Sequence, residues 1–129
     1  MNNVELLKQG YQKFAEGKVE EVLAMYHPEI IWDECTGFPY VTEDGIYIGP
    51  NAIVQNILMI IPQYMDNFQV EITEIFGSGD KVVMQGYYTG TWKETGKVFK
   101  ANATHVWTVK DGLATHFFQA VDTAEIINP

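Results

Sequence analysis

The stretch HVWTVKDGLATHFFQAVDT, residues 105–123, decides how the second half of the chain folds, because it reads as two apolar β-strands joined by a tight turn. Its Asp111-Gly112 pair is typical of a two-residue hairpin turn, and such a turn sets the register of the strands on both sides. The register expected from it pairs Trp107 with His116, His105 with Phe118, Ala103 with Ala120, and Ala101 with Asp122. Alternate side chains share a face of a strand, so these eight side chains are predicted to lie together.

This face of the predicted hairpin combines aromatic rings with three alanines, so we expect it to face the core. Alanine side chains are small and would leave unfilled volume next to Asp122. A buried carboxylate without a partner costs several kcal/mol unless its pKa rises or it finds a donor. The hairpin therefore predicts a hollow lined by aromatic rings and containing Asp122, His105 and His116. The alternative is a solvated Asp122 at a fraying strand end.

Three helices are predicted in the first half of the chain. Apolar residues recur at helical spacing over residues 4–14, and Gly17 should end that helix. A shorter helix should stop at His27-Pro28, because the residue before a proline disfavours helical geometry. A third helix should follow Gly49-Pro50 and be kinked or ended by Pro62.

Strands are predicted in the rest of the chain. EIIWDE, residues 29–34, is rich in β-branched and aromatic residues, and residues 36–50 contain many turn formers that indicate a long loop. From Phe68 onward the apolar residues recur with a period of two, which predicts long antiparallel strands, the last from Leu113 to about Ile126. Helices followed by such strands indicate an α+β fold, with the helices covering one face of the sheet.

Bulk properties narrow the possible partners. A chain of 129 residues has the length of a single domain spanning residues 1–129. The formal net charge of −9 argues against nucleic acid and against an anionic membrane surface as partners. Cys35 is the one cysteine, the N-terminal sequence does not resemble a signal peptide, and the apolar runs are too short for a membrane span. We therefore expect a cytoplasmic protein.

Four stretches carry a resemblance to a known family, in the family's order: FAEGKVEEVLAMYHPEIIWDE, GIYIGPNAIVQNI, GTWKETGKVFKANATHVWTVKDG and FFQAVDT. Together they resemble the nuclear-transport-factor-2-like superfamily, which includes ketosteroid isomerase, limonene epoxide hydrolase and the SnoaL-like polyketide cyclases. The resemblance implies a cone-shaped, cystatin-like fold, in which three N-terminal helices pack on the concave face of a curved antiparallel sheet. It also implies an open end that admits a hydrophobic ligand, and a homodimer formed through the outer sheet face.

The resemblance suggests functional positions in the isomerase pattern. Glu34, at the end of the first strand, matches the catalytic aspartate of the isomerases. Their oxyanion-holding tyrosine would fall at Gly10, next to Tyr11, and their protonated aspartate would fall near His105. One acid is thus kept while one donor is lost and another is replaced, so steroid isomerisation loses support.

The cyclases and epoxide hydrolases offer a second pattern. They use an aspartate near the end of the last strand, which Asp122 matches, and SnoaL-like cyclases place a histidine in the preceding strand, a role that His105 could fill. The hydrolases also need an arginine and a second aspartate in that strand. ANATHVW, residues 101–107, contains neither.

The predicted activity is proton transfer next to a carbonyl group of a small hydrophobic substrate. The enzyme would be an isomerase or cyclase, or else a lyase. Asp122 would act as general base, His105 would donate to the developing enolate oxygen, and Glu34 is the rival base. The side chains expected to contact the ligand are Trp32, Tyr64, Trp107, His116 and Phe118. The alternative is a ligand-binding domain of the same fold that catalyses no reaction.

Two further expectations concern metals and assembly. His105, His116, Asp122 and Glu34 form a third hypothesis, a metal site, but no close ligand-pair motif accompanies them, so we expect neither a metal nor a cofactor. The outer face of the predicted hairpin would carry Val106, Phe117 and Val121, which are too apolar for full exposure. They favour a homodimer through that face.

Overall fold

The computed structural model describes residues 2–128. Its helices are α1 (Asn3–Ala15), α2 (Val19–Leu23), α3 (Pro50–Ile53), a π-helical turn (Val54–Leu58), α4 (Ile61–Tyr64) and α5 (Thr123–Ile127). Its strands are β1 (Tyr26–Asp33), β2 (Ile46–Ile48), β3 (Met65–Ser78), β4 (Lys81–Trp92), β5 (Lys97–Lys110) and β6 (Leu113–Val121).

The strands form one curved, open sheet with the order β2-β1-β6-β5-β4-β3. Neighbouring strands are antiparallel except β1 and β6, which run parallel. The predicted α+β class and the largely antiparallel sheet are confirmed. None of the helices within residues 2–128 has the length and apolar character needed to cross a membrane.

Helix α1 shows why the N-terminal sequence folds as predicted. Asn2 caps its start, since the side-chain oxygen accepts a hydrogen bond from the Glu5 backbone N–H at 2.8 Å. Gly17, with φ of 75°, follows its end. The inner face buries Leu7 and Gly10, and a Cβ at Gly10 would lie only 2.8 Å from the Met25 methyl group. Helix α1 can therefore approach the Met25 side chain closely.

Several element boundaries differ from the prediction. Helix α2 ends at Leu23, and β1 continues through His27-Pro28, where the chain was expected to stop a helix. The predicted loop 36–50 contains the short edge strand β2. The third predicted helix is divided into α3, the π-helical turn and α4, and Pro62 lies in the first turn of α4.

The hairpin turn forms as predicted, but the strand register that was predicted beyond it is wrong. Asp111 and Gly112 have φ angles of 52° and 77°, as a two-residue turn requires. Val109 then pairs with Ala114, whereas Thr108 pairs with His116, so Thr115 is one additional residue in β6. Its hydroxyl donates to the Thr108 carbonyl at 3.4 Å.

This β-bulge moves every later residue of β6 to the opposite face, because side chains alternate with a period of two. Trp107 pairs with Phe117, His105 with Gln119, and Ala103 with Val121. The bulge also brings Phe117 opposite Trp32 of the parallel neighbour β1, with the two ring centroids 3.9 Å apart. The prediction placed the β5 residues on the correct face and the β6 residues on the wrong one.

Candidate functional site

A cavity of about 80 Å³ lies between the helices and the inner face of the sheet. Helical side chains form one wall, mainly Leu7, Tyr11, Phe14, Ile57, Leu58 and Ile61. Strand side chains form the other, including Trp32, Tyr88, His105, Trp107, Phe117 and Gln119. Phe38 and Tyr40 from the loop before β2 complete the lining. The wall is thus mostly apolar, with a few polar groups.

The size of the cavity limits what it holds without rearrangement. An apolar cavity that accepts benzene in another protein measures roughly 150 Å³, about twice the present volume. A ring-sized ligand must therefore displace wall side chains. The divided helix at residues 50–64 supplies three of them, Ile57, Leu58 and Ile61, and π-helical turns are frequent at functional sites.

Glu34 is the buried acid of this cavity. It directly follows β1, where its backbone N–H donates to the Gly45 carbonyl at 2.8 Å, and it is 4 % exposed. Burial raises the pKa of Glu34 to about 8, opposed by the Cys35 backbone N–H, which donates to Oε1 at 3.3 Å, and by the nearby Trp32 indole. Near neutral pH the carboxyl is mainly protonated, and modest alkalinity ionises it.

Trp32 brings an unused donor to the same region. Among residues 2–128, its indole Nε1 is the buried side-chain nitrogen or oxygen that has no hydrogen-bond partner. The indole lies close enough to Glu34 to lower the pKa of that carboxyl, although no hydrogen bond joins them. A buried donor left without a partner is costly, so a ligand acceptor that reached it would be favoured.

Five side chains that line the cavity form a continuous run of hydrogen bonds, which we call the His105 relay: Trp107, Tyr11, His105, Tyr88 and Gln119. The Trp107 indole N–H donates to the Tyr11 hydroxyl at 2.8 Å, and that hydroxyl lies 2.7 Å from His105 Nδ1. The Tyr88 hydroxyl lies 2.5 Å from His105 Nε2. It donates to Gln119 Oε1, also at 2.5 Å.

His105 is neutral in this setting. It is 4 % exposed, and burial lowers the pKa of the imidazole to about 3, while the Gln119 side chain opposes that shift. A neutral imidazole has one N–H and one acceptor nitrogen, and both are engaged by tyrosine hydroxyls. His105 thus has no free polar atom to offer a ligand directly.

Asp122 does not lie in the cavity, so its predicted core position is wrong. β6 ends at Val121, five residues before the predicted end, and Asp122 is exposed. Its carboxylate caps α5 by accepting from the Glu125 backbone N–H at 3.4 Å. The bulge at Thr115 removes it from the inner face, and the chain then turns into a helix instead of continuing the strand.

Three of the five predicted contact residues lie elsewhere. The bulge places His116 and Phe118 on the outer face of the sheet, where Phe118 is 44 % exposed. Tyr64 packs against Tyr40 and Trp92, with ring centroids 5.3 and 5.7 Å away, and does not line the cavity. The other two, Trp32 and Trp107, line it together with Glu34 and His105.

The residues that the sequence left out are instructive. Gln119 was predicted on the outer face, and only the bulge brings it opposite His105. Tyr87 and Tyr88 point to opposite faces of β4, and Tyr88 lies on the buried face with Val82 and Met84. Tyr40 lies in a loop, where no periodicity indicates burial. Tyr11 only adjoins the isomerase-like position at Gly10, yet it is central to the relay.

The hypothetical metal set is not assembled. Glu34 and His105 line the cavity, whereas His116 and Asp122 lie outside it. In the part of the chain that the structure describes, no three His, Cys, Asp or Glu side chains are grouped so that they could hold a metal ion.

Comparisons with known proteins agree with the fold. The family model of the SnoaL-like domain matches residues 7–117. A solved NTF2-like protein of Burkholderia thailandensis E264 is 30% identical, with a TM-score of 0.87 and coverage of 95% of this chain and 92% of that one. An NTF2-like protein of Burkholderia pseudomallei K96243 is 24% identical, with a TM-score of 0.86 and coverage of 97% and 95%, which shows the fold alone.

A third solved structure comes from a co-crystallisation with an organic compound. TerC, co-crystallised with polyporic acid, is 25% identical, with a TM-score of 0.82 and coverage of 95% of this chain and 92% of that one. A comparison with curated proteins found no match. Together the structural likenesses confirm the predicted cone-shaped fold.

Proposed function

The chain belongs to the SnoaL-like domain family, as its motifs predicted, and we propose that it binds a small hydrophobic molecule and transfers a proton next to a carbonyl group, as an isomerase- or cyclase-type enzyme. The observation that carries the proposal is Glu34, a carboxyl buried in an apolar cavity. Its pKa of about 8 lies near neutral pH, where a general base is most effective.

Glu34 replaces Asp122 as the proposed base. The ionised carboxylate would take a proton from the carbon next to the substrate carbonyl, which leaves an enolate. The protonated carboxyl would then return that proton to another carbon, so the enzyme ends in its starting state. In a cavity with little water the carboxylate is poorly solvated, which strengthens it as a base.

Trp32 is the proposed donor to the enolate oxygen. The Trp32 side chain lines the cavity near Glu34, and its indole N–H has no partner among residues 2–128. Donors already aimed at a developing negative charge lower the barrier, because they need no reorganisation during the reaction. We assign His105 a positioning role, since its two nitrogens hold the hydroxyls of Tyr11 and Tyr88.

The second candidate is a ligand-binding domain that catalyses no reaction. The small cavity and the internally paired polar groups of the His105 relay favour it. The co-crystallisation of TerC with polyporic acid also supports a small organic ligand, under either candidate. Activity on a bound probe separates the two.

The probe is 3-cyclohexen-1-one, whose conversion to the conjugated 2-cyclohexen-1-one moves one proton and is followed by ultraviolet absorbance. We expect turnover by the wild type and a loss of at least about 100-fold in Glu34→Gln, the usual contribution of a positioned general base. Glu29→Gln is the matched control, because Glu29 is exposed on β1, the strand that Glu34 directly follows. Binding of the probe without turnover would support the second candidate instead.

A homodimer through the outer sheet face is proposed as the assembly. Phe118, Val106, Val83 and Phe76 lie in register across four strands on that face. Phe118 and Phe76 are 44 % and 49 % exposed, and a contiguous apolar row of this kind favours burial against another surface. Phe117 and Val121, which were predicted on this face, do not contribute, because the bulge turns them inward.

The remaining partner predictions stay as proposals. We propose no nucleic-acid or membrane partner, no metal and no cofactor, and a cytoplasmic location. The formal charge of −9 supports the first of these, since it would repel phosphate groups.

A further inference from the structure

The direction of each hydrogen bond in the His105 relay follows from counting protons. The Tyr88 hydroxyl has one proton and gives it to the Gln119 carbonyl oxygen. Tyr88 must then accept from His105, so the proton of the neutral imidazole is on Nε2 and Nδ1 is an acceptor. Nδ1 in turn accepts a hydrogen bond from the Tyr11 hydroxyl.

Tyr11 is left with one function for a ligand. Its hydroxyl oxygen already accepts a hydrogen bond from the Trp107 indole N–H, and its O–H already donates one to His105. One lone pair remains, so Tyr11 can accept a hydrogen bond but cannot donate one. In this arrangement the relay favours a ligand that carries a hydroxyl group.

The relay has a second arrangement that keeps the same number of hydrogen bonds. If the Gln119 amide rotates by half a turn, its NH₂ group donates to Tyr88, and Tyr88 donates to His105 Nε2. The proton on His105 then moves to Nδ1 and is donated to Tyr11, whose own O–H becomes free. The Gln119 amide nitrogen has no hydrogen bond to another residue within 2–128, so the rotation breaks none there.

We propose that the His105 relay adapts its hydrogen-bond directions to the oxygen atom of the bound ligand, according to whether that oxygen belongs to a hydroxyl or a carbonyl group. A ligand hydroxyl donates to Tyr11 with the relay as in the structure, and a carbonyl oxygen accepts from Tyr11 after the relay reverses. The ligand class is a cyclic ketone together with its alcohol or enol form, and Gln119 is the specificity-determining residue. This inference rests on the proposed ligand pocket and deepens it.

The test uses cyclohexanol and cyclohexanone as probes with ¹⁵N-labelled protein. The ¹⁵N resonances of a histidine show which ring nitrogen carries the proton. His105 is assigned with the help of His27→Gln and His116→Gln, which remove the two histidines that do not line the cavity. We expect the Nε2–H form in the free protein and with cyclohexanol, and the Nδ1–H form with cyclohexanone. The same form with both bound probes overturns the proposal.

A variant presets the relay. Leucine has about the shape of glutamine but no acceptor. In Gln119→Leu the Tyr88 hydroxyl should therefore donate to His105 Nε2, and His105 Nδ1–H should donate to Tyr11. The Tyr11 O–H is then free to donate to a ligand. We expect the affinity for cyclohexanone relative to cyclohexanol to rise about tenfold, the effect of one gained buried hydrogen bond. Gln85→Leu, at an exposed position of β4, should leave the ratio unchanged. An unchanged ratio in a folded Gln119→Leu variant counts against the relay.

The indole N–H resonances of Trp32 and Trp107 separate this inference from the proposed function. Both indoles line the cavity. If neither resonance responds to either probe, the pocket does not accept such molecules and both proposals fail. If the indoles respond while the His105 proton stays on Nε2 with cyclohexanone, the relay proposal alone fails.

Discussion

His105 lies opposite Gln119 across β5 and β6, so its cross-strand partner is an amide rather than the ring of Phe118 that the predicted register placed there. The amide oxygen ends a run of hydrogen bonds that begins at the Trp107 indole. A shift of one residue in β6 would put Phe118 in that place and leave Tyr88 without its acceptor. The chemistry of the cavity therefore depends on the bulge at Thr115.

Glu34 should make the protein less stable as the pH rises. Its pKa is about 8 in the folded protein and 4.5 without perturbation, so the folded state holds the proton more tightly. The stability from this carboxyl is complete below about pH 4.5 and is lost progressively up to about pH 8. In Glu34→Gln we expect this loss to be absent. The free energy of unfolding of the wild type should therefore fall by several kcal/mol more than that of the variant between pH 4.5 and pH 8.

Urea unfolding of both proteins at several pH values measures that difference. Glu29→Gln, the exposed control on β1, should follow the wild type at every pH. Parallel curves for Glu34→Gln and the wild type would mean that Glu34 ionises normally and is not the buried base.

His105 should stay neutral through the acid range. Burial lowers the pKa of His105 from an ordinary 6.5 to about 3. Between these pH values the imidazole is protonated in the unfolded chain and neutral in the folded protein. The stability from neutral His105 is complete above about pH 6.5 and is lost as the pH falls towards 3. Constant His105 ¹⁵N resonances from pH 8 to pH 4 are expected, and a midpoint near 6.5 would show that the imidazole reaches solvent.

The two groups oppose one another between pH 4.5 and 6.5. In that window Glu34 lowers stability as the pH rises, while His105 increases it. We expect a nearly flat stability profile there in the wild type, followed by a decline from pH 6.5 to 8. In Glu34→Gln the decline should disappear and the profile should rise up to pH 6.5, as urea midpoints at fixed temperature can show.

Asp122 should matter for stability and not for activity. Asp122→Ala removes the cap of α5 and should cost about 1 kcal/mol in thermal or urea unfolding. Conversion of 3-cyclohexen-1-one should continue at the wild-type rate, because the carboxylate is exposed and outside the cavity. A loss of activity comparable with that of Glu34→Gln would restore Asp122 as a candidate base.

Phe118 should hold the proposed homodimer together. Phe118→Asp places a charge in the apolar row of the outer face and should shift the protein to a monomer in light scattering across a dilution series. Met59→Asp is the control, since Met59 is an apolar residue outside the sheet that is more exposed than Phe118. A wild type that is monomeric at all concentrations would contradict the proposed assembly.

The sequence alone determined the fold class, most strand positions and the acid at the end of β1. Strands β4 and β5 lie in the region after Phe68 where period-two alternation predicted long antiparallel strands. Period-two alternation, turn chemistry and family motifs are local signals, and local signals are sufficient where one strand face is plainly apolar. For the same reason the inner positions of His105 and Trp107 on β5 were correct.

The tertiary structure decided which β6 side chains reach the cavity and where Asp122 lies. Gln119, between Phe118 and Ala120, looks like an outward-facing polar residue on any local criterion. The bulge at Thr115 reverses that, because β6 must fit β5 on one side and the parallel strand β1 on the other, which brings Phe117 against Trp32. Such a fit depends on residues 85 positions apart in the chain, so no spacing within the hairpin could reveal it.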